Sequence, residues 1–423
     1  MYIMSLAKHL LTRAYSYAKK SPQRIKFFKP IWKKLSKVIG YINSLKTEMV
    51  YTTAFSLYEG SLEDWVIKNN SIEIKNEEKV SLKKDIIHVH PSKNKLPWTS
   101  RGSIMKLEYL ANTPPQITNS SVLFLPNGRV LNLGDIVTPD NFLLRDFTLE
   151  PNRQSQLLKE QLKGKRVPKV KGKVAVLTVD LTGYYHWMMD LIPRFGLLRE
   201  AGIRVEDIDK FLVNDYVSKF QVETFEYLGI PAKKIITSQW NPDFVADMLV
   251  VPSVLRISNM NWRVNYIRNA FLPLAKLTND LPKRIYISRG QVTHRRLINE
   301  AEVFSLLQDF GFTKIVMEDY NFQEQISLMA NADVIVAPHG AGLTNIAFCK
   351  PNSKIIEIAS PKAINPLFWL MSCQLEDIQY FYVFAEGEIL DTTDRDKTKI
   401  YNNDDMTVSI EELKVALEVA EII

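Results

Sequence analysis

Apolar and polar positions alternate in blocks along residues 174–262, and these blocks predict strands and helices in turn. The short apolar runs "VAVLTVD", "KFLVND", "KKIITS" and "DMLVVPS" are typical of buried strands. Between them, "YYHWMMDLIPRFGLLREAG" and "KFQVETFEYLG" have helical patterns that stop at glycine. Strands that alternate with helices indicate a parallel sheet with helices on its faces.

A second set of the same kind follows a helical segment at residues 264–277. The strands are "RIYISR", "TKIVMED", "DVIVAP" and "KIIEIAS", and the helices are predicted at 299–310, 322–332 and 343–348. Asn299 and Glu302 have the spacing of a capping box. Phe322, Ile326, Met329 and Ala330 form the apolar stripe of a core-facing helix. The fold class is therefore α/β, with two doubly wound units separated by a cleft.

The pattern also predicts five segments along the chain. They are an N-terminal arm at 1–47, a mixed, strand-rich part at 48–165, the first α/β domain at 166–262, the second at 263–380, and an extension with a final helix at 381–423. The stretch "LKGKRVPKVKGK" predicts an exposed connection before the first domain. "DTTDRD" lies in a polar stretch outside both sheets, which indicates a solvated loop and no metal site.

Charge is concentrated in the arm. Residues 1–47 hold 11 of the 54 basic residues and none of the 47 acidic ones, which leaves 43 basic against 47 acidic residues elsewhere. Apolar residues lie among these cations, so the arm is predicted either to lie as a helix on an anionic membrane or to pack on its own domain. Nucleic acid is not an expected partner, because the body contains no nucleic-acid-binding motif.

Composition narrows the class of protein further. The chain is 46% hydrophobic and 24% charged, as in soluble globular proteins, and has no apolar run of about 18 residues. With only Cys349 and Cys373, it contains no disulfide framework. The first residues also lack the apolar region of a signal peptide. We therefore expect a cytoplasmic protein, with peripheral contact at the inner membrane face if the arm binds lipid.

One strand-to-helix junction, "VIVAPHGAGLTNIAF", carries three small residues and a histidine. Ligands of open parallel sheets bind at the carboxyl ends of strands, where a helix N-terminus favours an anion such as phosphate. The turn lacks the third glycine of a dinucleotide fingerprint and the Lys of a P-loop. It predicts either a ligand cradle or a tight turn that needs glycine for its backbone angles. The cradle residues would be His339, Gly340, Ala341, Gly342, Leu343, Thr344 and Asn345.

Two further stretches carry candidate chemistry. His186 and Asp190, four residues apart on an apolar helix, share a face, so the carboxylate could orient an imidazole acting as general base. Alternatively, Asp190 pairs with Arg194 and the histidine is a satisfied core residue. Arg289, Arg295 and Arg296 follow one strand within a single loop, and arginine matches phosphate oxygens.

These stretches together resemble glycosyltransferase family 61. The resemblance rests on "YYHWMMDLIPRFGLL", "YISRGQVTHRRLINEAEV", "MEDYNFQEQISLMANADVIVAPHGAGLTNIAF" and "IIEI", with "DIVTPDNFLLRD" before them, and spans roughly residues 120–360. It implies a GT-B-like architecture of two Rossmann-like domains facing a cleft, with a nucleotide-sugar co-substrate in the C-terminal domain. It also implies inverting transfer without an essential metal or other cofactor. The related enzymes include those of capsular and surface polysaccharides and the EGF-domain O-GlcNAc transferase type.

The resemblance also implies roles for the candidate residues. The turn from His339 to Thr344 would hold the donor diphosphate, assisted by Arg289, Arg295 and Arg296. Glu357 would bind ribose. His186 or Asp190 would be the base that activates a glycan or lipid-linked glycan acceptor in capsular or exopolysaccharide synthesis. A polysaccharide pyruvyltransferase-like enzyme and a non-catalytic membrane-associated scaffold of the same fold are the alternative functions.

Overall fold

The computed structural model describes residues 49–52, 56–57, 81–89, 96–112, 117–131, 134–144, 147, 165–179, 181–238, 243–255, 257–290, 292–390 and 404–423. The basic arm and the "DTTDRD" stretch lie outside these residues. The chain divides into two compact units, called here unit 1 (Met1–Ile87 and Asn119–Leu255) and unit 2 (His88–Thr118 and Arg256–Ile423).

Strands form two separate sheets. In chain order they are β1 (Met49–Thr52), β2 (Ser56–Leu57), β3 (Ser81–Val89), β4 (Trp98–Thr99), β5 (Ile117–Pro126), β6 (Arg129–Leu131), β7 (Asp135–Val137), β8 (Phe142–Leu143), β9 (Lys165–Val176), β10 (Lys210–Val213), β11 (Ile235–Thr237), β12 (Asp243–Pro252), β13 (Arg284–Ser288), β14 (Thr313–Val316), β15 (Val334–Pro338), β16 (Lys354–Ala359) and β17 (Gln379–Phe384).

Helices lie between most of the later strands. They are α1 (Met105–Ala111), α2 (Tyr184–His186, a π-helical turn Trp187–Leu191, and Ile192–Glu200), α3 (Lys219–Tyr227), α4 (Met260–Phe271), α5 (Glu300–Asp309), α6 (Phe322–Asn331), α7 (Leu367–Ser372) and α8 (Ile410–Val419). Short 3₁₀ helices occur at Val205–Asp207, Ala232–Lys234, Ile257–Asn259, Leu272–Leu274, Met317–Asp319 and Ala341–Phe348.

Unit 1 has a parallel core with an antiparallel flank. Strands β11, β10, β9 and β12 are neighbours in that order and run parallel. Strands β5 and β6 pair antiparallel with β12. Leu123, Val174, Leu212 and Leu249 are fully buried in one core that spans both parts. The later strands of the predicted separate part, residues 48–165, are therefore continuous with the first α/β domain.

Strand β9 replaces the exposed connection predicted at "LKGKRVPKVKGK". Val170 and Val174, an even number of residues apart, pack in one core, whereas Lys171 and Lys173 between them are exposed. The Nζ atom of Lys169 lies 3.0 Å from Oδ1 of Asp247 on the neighbouring strand. Basic side chains indicated a loop in the sequence, but period-two alternation lets one face of a strand be polar while the other is buried.

Unit 2 has an all-parallel sheet with the order β14-β13-β15-β16-β17-β4. The four strands predicted from "RIYISR", "TKIVMED", "DVIVAP" and "KIIEIAS" are confirmed. Strand β4 extends the sheet beyond β17, so the segment around Trp98 belongs to this unit and not to the strand-rich part. Helix α8 packs Leu413 and Leu417 into the same core as Ile356 and Ile358.

Two local predictions are wrong in detail. Asn299 occupies the N-cap position of α5 without a capping hydrogen bond, because its side chain exchanges two hydrogen bonds with the backbone of Val408. A complete capping box occurs instead at α6, between Asn321 and Glu324. The helix predicted at 264–277 begins four residues earlier, at Met260, and ends at Phe271.

The architecture confirms an α/β fold with parallel sheets. The GT-B arrangement of the two units, with a cleft between them, stays a prediction. Within the part of the chain described here, no helix has the length and apolar character needed to cross a bilayer.

Candidate functional site

The strand order of unit 2 creates a switch point between β13 and β15. After β13 the chain crosses to β14 on one side, and it then returns to β15 on the other side. Open α/β sheets bind ligands at such a point, outside the carboxyl ends of the strands. Ser288 ends β13 and Pro338 ends β15, so Arg289 and His339 both begin at this edge. The predicted arginine loop and the predicted turn are thus brought together.

Arg289 is bound directly to the turn. Its Nη1 donates to the carbonyl oxygen of His339 at 2.7 Å, and its Nη2 lies 3.4 Å from the carbonyl of His294. A Cβ atom on Gly340 would overlap Nη1 and lie 3.3 Å from Cζ of this arginine. Gly340 has an extended backbone, with φ of −179°. A side chain at this position would therefore displace the guanidinium, and no special backbone angle calls for glycine here. The ligand contact predicted for Gly340 stays a prediction.

Two half-buried cations meet at this edge. Burial and, to a smaller extent, the charge of Arg295 lower the pKa of Arg289 to about 10. Burial also lowers the pKa of Arg295, while the carboxylate of Glu357 acts in the opposite direction. Both guanidinium groups remain charged at neutral pH. Their Nε atoms are buried and have no hydrogen-bond partner among the described residues. A buried unpaired donor is costly, so this arrangement favours an anion between the arginines.

The remainder of the turn divides into an exposed and a buried part. Ala341 is exposed and Gly342 half-buried, at the start of the 3₁₀ helix Ala341–Phe348. Leu343 is fully buried in the core. Asn345 is also fully buried, and its Nδ2 donates to Oε1 of Gln325 at 3.1 Å. Asn345 therefore ties the turn to helix α6, and Leu343 lies in the core. The ligand contacts predicted for both stay predictions.

Thr344 is the one polar side chain of this buried part whose role stays open. The residue is 2% exposed, and its Oγ1 has no hydrogen-bond partner within the described part of the chain. A hydroxyl in this state can donate to an oxygen that reaches it. The position is compatible with the predicted phosphate contact.

Glu357 does not lie at the strand end where a ribose would reach it. It is 0% exposed, in the middle of β16, on the strand face opposite to Ile356 and Ile358. Its Oε1 accepts a hydrogen bond from Nδ1 of His339, and its Oε2 accepts one from the hydroxyl of Tyr380. The predicted ribose role is corrected: buried carboxylates need partners inside the protein, and this one has found them in the site itself.

These contacts fix the imidazole of His339. The ring also lies against Phe368, with 5.1 Å between centroids. Burial and the Glu357 carboxylate raise the pKa of Tyr380 well above its ordinary value, which keeps that hydroxyl a donor. The histidine is therefore held on one side by a carboxylate and on the other by an aromatic ring.

Arg296 is directed away from the other two arginines. It is exposed, and its Nε donates to Oδ2 of Asp405 at 2.9 Å while its backbone N–H donates to Oδ1 at 2.8 Å. The hydrogen bonds with Asp405 raise the pKa of Arg296. The predicted phosphate contact from this residue is therefore replaced by an ion pair.

A second candidate site lies at the corresponding edge of unit 1. The order β11-β10-β9-β12 has its switch point between β9 and β12, and α2 begins shortly after β9. Nδ1 of His186 donates to Oδ2 of Asp190 at 2.6 Å. The two side chains are 24% and 21% exposed. The carboxylate on Nδ1 leaves Nε2 as the nitrogen able to accept a proton.

Helix α2 is irregular at this pair. The π-helical turn Trp187–Leu191 follows His186 directly and contains Asp190. Such turns are rare and frequent at functional sites, because the wider turn changes the direction of its side chains. Trp187, Met188, Met189 and Leu191 are buried, so the pair is the polar part of an otherwise apolar segment.

Arg194 anchors the helix to the strand ends. It is 2% exposed, and it donates from Nη1 to the carbonyl of Thr178 and from Nη2 to that of Pro252 at 2.7 Å. Burial lowers its pKa to about 10, while Asp190 acts in the opposite direction. The predicted alternative, an ordinary ion pair with Asp190, is therefore not its main contact. Arg194 instead holds His186 and Asp190 at the switch point.

Three residues that contact the candidate site residues were not identified from the sequence. Tyr380 and Phe368 were not identified because β17 and α7 lie outside the motifs, although Tyr380 and Tyr382 alternate as on a strand face. Asp405 carried no local signal, since it is 109 positions from its partner Arg296. Among the described residues, no group of three or more His, Cys, Asp or Glu side chains could hold a metal ion.

Comparison with known proteins adds independent information on residues 184–356, which match the family model "Glycosyltransferase 61". An alpha-1,3-arabinosyltransferase of Oryza sativa subsp. japonica is 24% identical over 57% of this chain and 46% of its own. A beta-1,2-xylosyltransferase of Arabidopsis thaliana is 34% identical over 20% of this chain and 18% of its own. A human protein O-linked-mannose beta-1,4-N-acetylglucosaminyltransferase 2 is 33% identical over 19% and 14%. The chain thus spans less than half the length of these relatives.

Proposed function

The chain belongs to the glycosyltransferase 61 family through residues 184–356, and from this premise we propose that it transfers a sugar from a nucleotide-sugar donor to a glycan or lipid-linked glycan acceptor. Unit 2 binds the donor, and unit 1 supplies the base. The names of the relatives state transfer of arabinose, xylose and N-acetylglucosamine, which are the first donor sugars to consider.

The donor assignment depends on one observation above the others. Arg289 and Arg295 are two half-buried cations with unpaired Nε donors, at the switch point of a parallel sheet. A diphosphate would satisfy these donors and relieve the repulsion between the arginines. As the donor bond breaks, negative charge grows on the departing diphosphate, and fixed cations stabilise that charge. In the proposed mechanism these arginines supply this stabilisation without an essential metal ion.

His339 keeps its predicted role in this proposal, whereas Glu357 takes a different one. The buried carboxylate of Glu357 holds Nδ1 of His339, so Nε2 is the ring atom left to contact the donor. A carboxylate behind an imidazole fixes its tautomer and orientation. We assign Glu357 as a positioning residue and His339 as the residue that contacts the diphosphate or the sugar.

The acceptor is activated from unit 1 in this proposal. Asp190 holds Nδ1 of His186, and Nε2 removes the proton from an acceptor hydroxyl as its oxygen attacks the anomeric carbon. Attack from the side opposite to the departing diphosphate inverts the configuration at that carbon. The π-helical turn and the Arg194 anchor support this assignment, because they hold the pair at the strand edge.

Nucleotide binding tests the proposal directly. We expect a nucleoside diphosphate to bind the wild-type protein, and Arg289→Ala to weaken binding about 10- to 100-fold, since a charge-assisted hydrogen bond contributes ~1.5–3 kcal/mol. Affinity should also fall as the pH rises toward 10, because Arg289 then loses its proton. Isothermal titration calorimetry measures both. The matched control is Arg204→Ala, which removes an exposed arginine of unit 1.

A donor screen in the presence of EDTA then separates the candidate functions. Sugar-nucleotide hydrolysis that persists in EDTA supports metal-independent glycosyl transfer. Turnover of phosphoenolpyruvate in place of nucleotide sugars would indicate the pyruvyltransferase-like alternative. A protein that binds no nucleoside diphosphate contradicts the donor assignment.

The acceptor is proposed to be a capsular or exopolysaccharide intermediate at an anionic membrane. Residues 1–47 carry 11 basic and no acidic residues, and each such cation near anionic headgroups contributes ~1 kcal/mol. We expect full-length protein to float with phosphatidylglycerol vesicles at low salt and a variant lacking residues 1–47 to remain in solution. Vesicles of phosphatidylcholine alone are the control. Equal flotation of both proteins would contradict the membrane role of the arm.

A further inference from the structure

The C-terminal segment at Asp405–Val408, called here the strap, pairs with the arginine loop of unit 2. Met406 N–H donates to the carbonyl of Arg296 at 2.8 Å, and Ile298 N–H donates to the carbonyl of Met406 at 2.7 Å. Asn299 then exchanges two hydrogen bonds with the backbone of Val408. The strap lies beyond residue 356, where the family match ends.

The core of unit 2 anchors the strap itself. Met406 and Val408 are 3% and 1% exposed, and they share one apolar cluster with Leu297, Val303 and the strand residue Ile356. Helix α8 follows directly and adds Leu413 and Leu417 to the cluster. The strap is therefore a rigid element against which a loop can be held.

Asp405 is the charged end of the strap and binds Arg296 in two ways. One carboxylate oxygen accepts from the Arg296 backbone N–H at 2.8 Å, and the other accepts from Nε at 2.9 Å. A carboxylate that binds both the main chain and the side chain of one residue fixes the backbone there as well as neutralising the charge.

The neighbouring Arg295 has an unfavourable backbone. Its φ is +53°, in the left-handed region that residues other than glycine seldom adopt. The guanidinium of Arg295 is half-buried, its charge lowers the pKa of Arg289, and the carboxylate of Glu357 opposes the lowering of the pKa of Arg295 by burial. Two like charges repel, so the loop needs an external restraint to keep Arg295 beside Arg289.

We propose that Asp405 is a positioning residue for the anion site: it clamps Arg296 and thereby holds Arg295 beside Arg289. This rests on the proposed donor-binding function of the two arginines. In this proposal the two consecutive arginines have different roles. Arg296 anchors the loop to the strap, and Arg295 binds phosphate.

Pyrophosphate binding, measured by calorimetry on the full chain, tests this. Asp405→Ala and Asp405→Asn should each weaken pyrophosphate binding about 5- to 30-fold, because the left-handed loop is no longer held. Asp405→Glu should restore most of the affinity. In an Arg295→Ala background, the Asp405→Asn change should have no further effect, since the residue acts through Arg295.

Asp207→Ala is the matched control. Asp207 accepts from the backbone N–H of Arg204 at 3.0 Å and from its Nη2 at 2.9 Å, which reproduces the same type of clamp in unit 1. This variant should bind pyrophosphate like wild type. Melting temperatures of all variants are recorded in parallel, and Asp405→Asn is the variant used if Asp405→Ala fails to fold.

The possible failures are distinguishable. If wild type binds neither pyrophosphate nor a nucleoside diphosphate, the proposed function fails first. If wild type binds and folded Asp405→Asn binds equally well, Asp405 does not position the site. An equal loss from Asp405→Asn with and without Arg295 also overturns the inference, because the effect would then be independent of that arginine.

Discussion

Replacement of His186 by alanine is expected to lower kcat about 10²- to 10⁴-fold, the range that general-base catalysis usually contributes. In the proposed mechanism the imidazole takes the acceptor proton at Nε2, since its Nδ1 is held by Asp190 at 2.6 Å. Nucleotide affinity should stay at the wild-type value, because the residue lies in unit 1 and the arginines lie in unit 2. Donor turnover with acceptor and calorimetric titration of a nucleoside diphosphate give the two quantities.

Asp190→Asn separates the two candidate bases. If histidine is the base, the asparagine variant keeps a reduced rate, because the imidazole that accepts the proton is still present. If the carboxylate is the base, Asp190→Asn is the more damaging change and His186→Ala the milder one. A His186→Ala protein that melts like wild type and retains full kcat would rule the histidine out as base.

Replacement of Gly340 by alanine is expected to weaken nucleotide binding about 10- to 100-fold, as much as Arg289→Ala does. The new Cβ would overlap Nη1 of Arg289, and the flexible guanidinium is the partner that moves. Its hydrogen bond to the His339 carbonyl is then lost. Because the φ of Gly340 is extended, alanine strains no backbone, and the melting temperature should change little.

A double-mutant cycle tests this cause. In an Arg289→Ala background the overlap no longer exists, so Gly340→Ala should add nothing to the loss of affinity. Additive losses would mean that Gly340 itself contacts the ligand, as the sequence predicts. Unchanged affinity in the single variant would mean that Arg289 is not held in place by this contact.

Much of the α/β core could be predicted because its signals are local. Apolar runs such as "RIYISR" and "DVIVAP" identify strands β13 and β15, and amphipathic patterns identify α5 and α6. The chemistry of His186 with Asp190 also follows from spacing alone, since residues four apart share a helix face. The arginine loop and the turn were each identified from the sequence as candidate phosphate-binding segments.

The errors arose where a side chain's partner is distant in the chain. Glu357 was predicted to bind ribose at a strand end, yet it is buried and hydrogen-bonded to Tyr380 and His339. Asn299 has a capping sequence, yet Val408 competes for its amide. The basic run before Val174 reads as a loop, yet one face of it is core. Secondary-structure propensity predicts such positions poorly, because tertiary contacts of a few kcal/mol override it.

The amino-acid order therefore determined which segments are strands and helices, which helix bears the histidine and carboxylate, and which loops bear positive charge. Only the tertiary structure decided which arginines face the proposed anion site. Arg289 and Arg295 lie at the switch point, where Arg289 donates to the His339 carbonyl. Arg296 is instead bound to Asp405. Strand order and long-range ion pairs determine the position of each arginine side chain. Both depend on contacts between residues far apart in the chain, which no local pattern encodes.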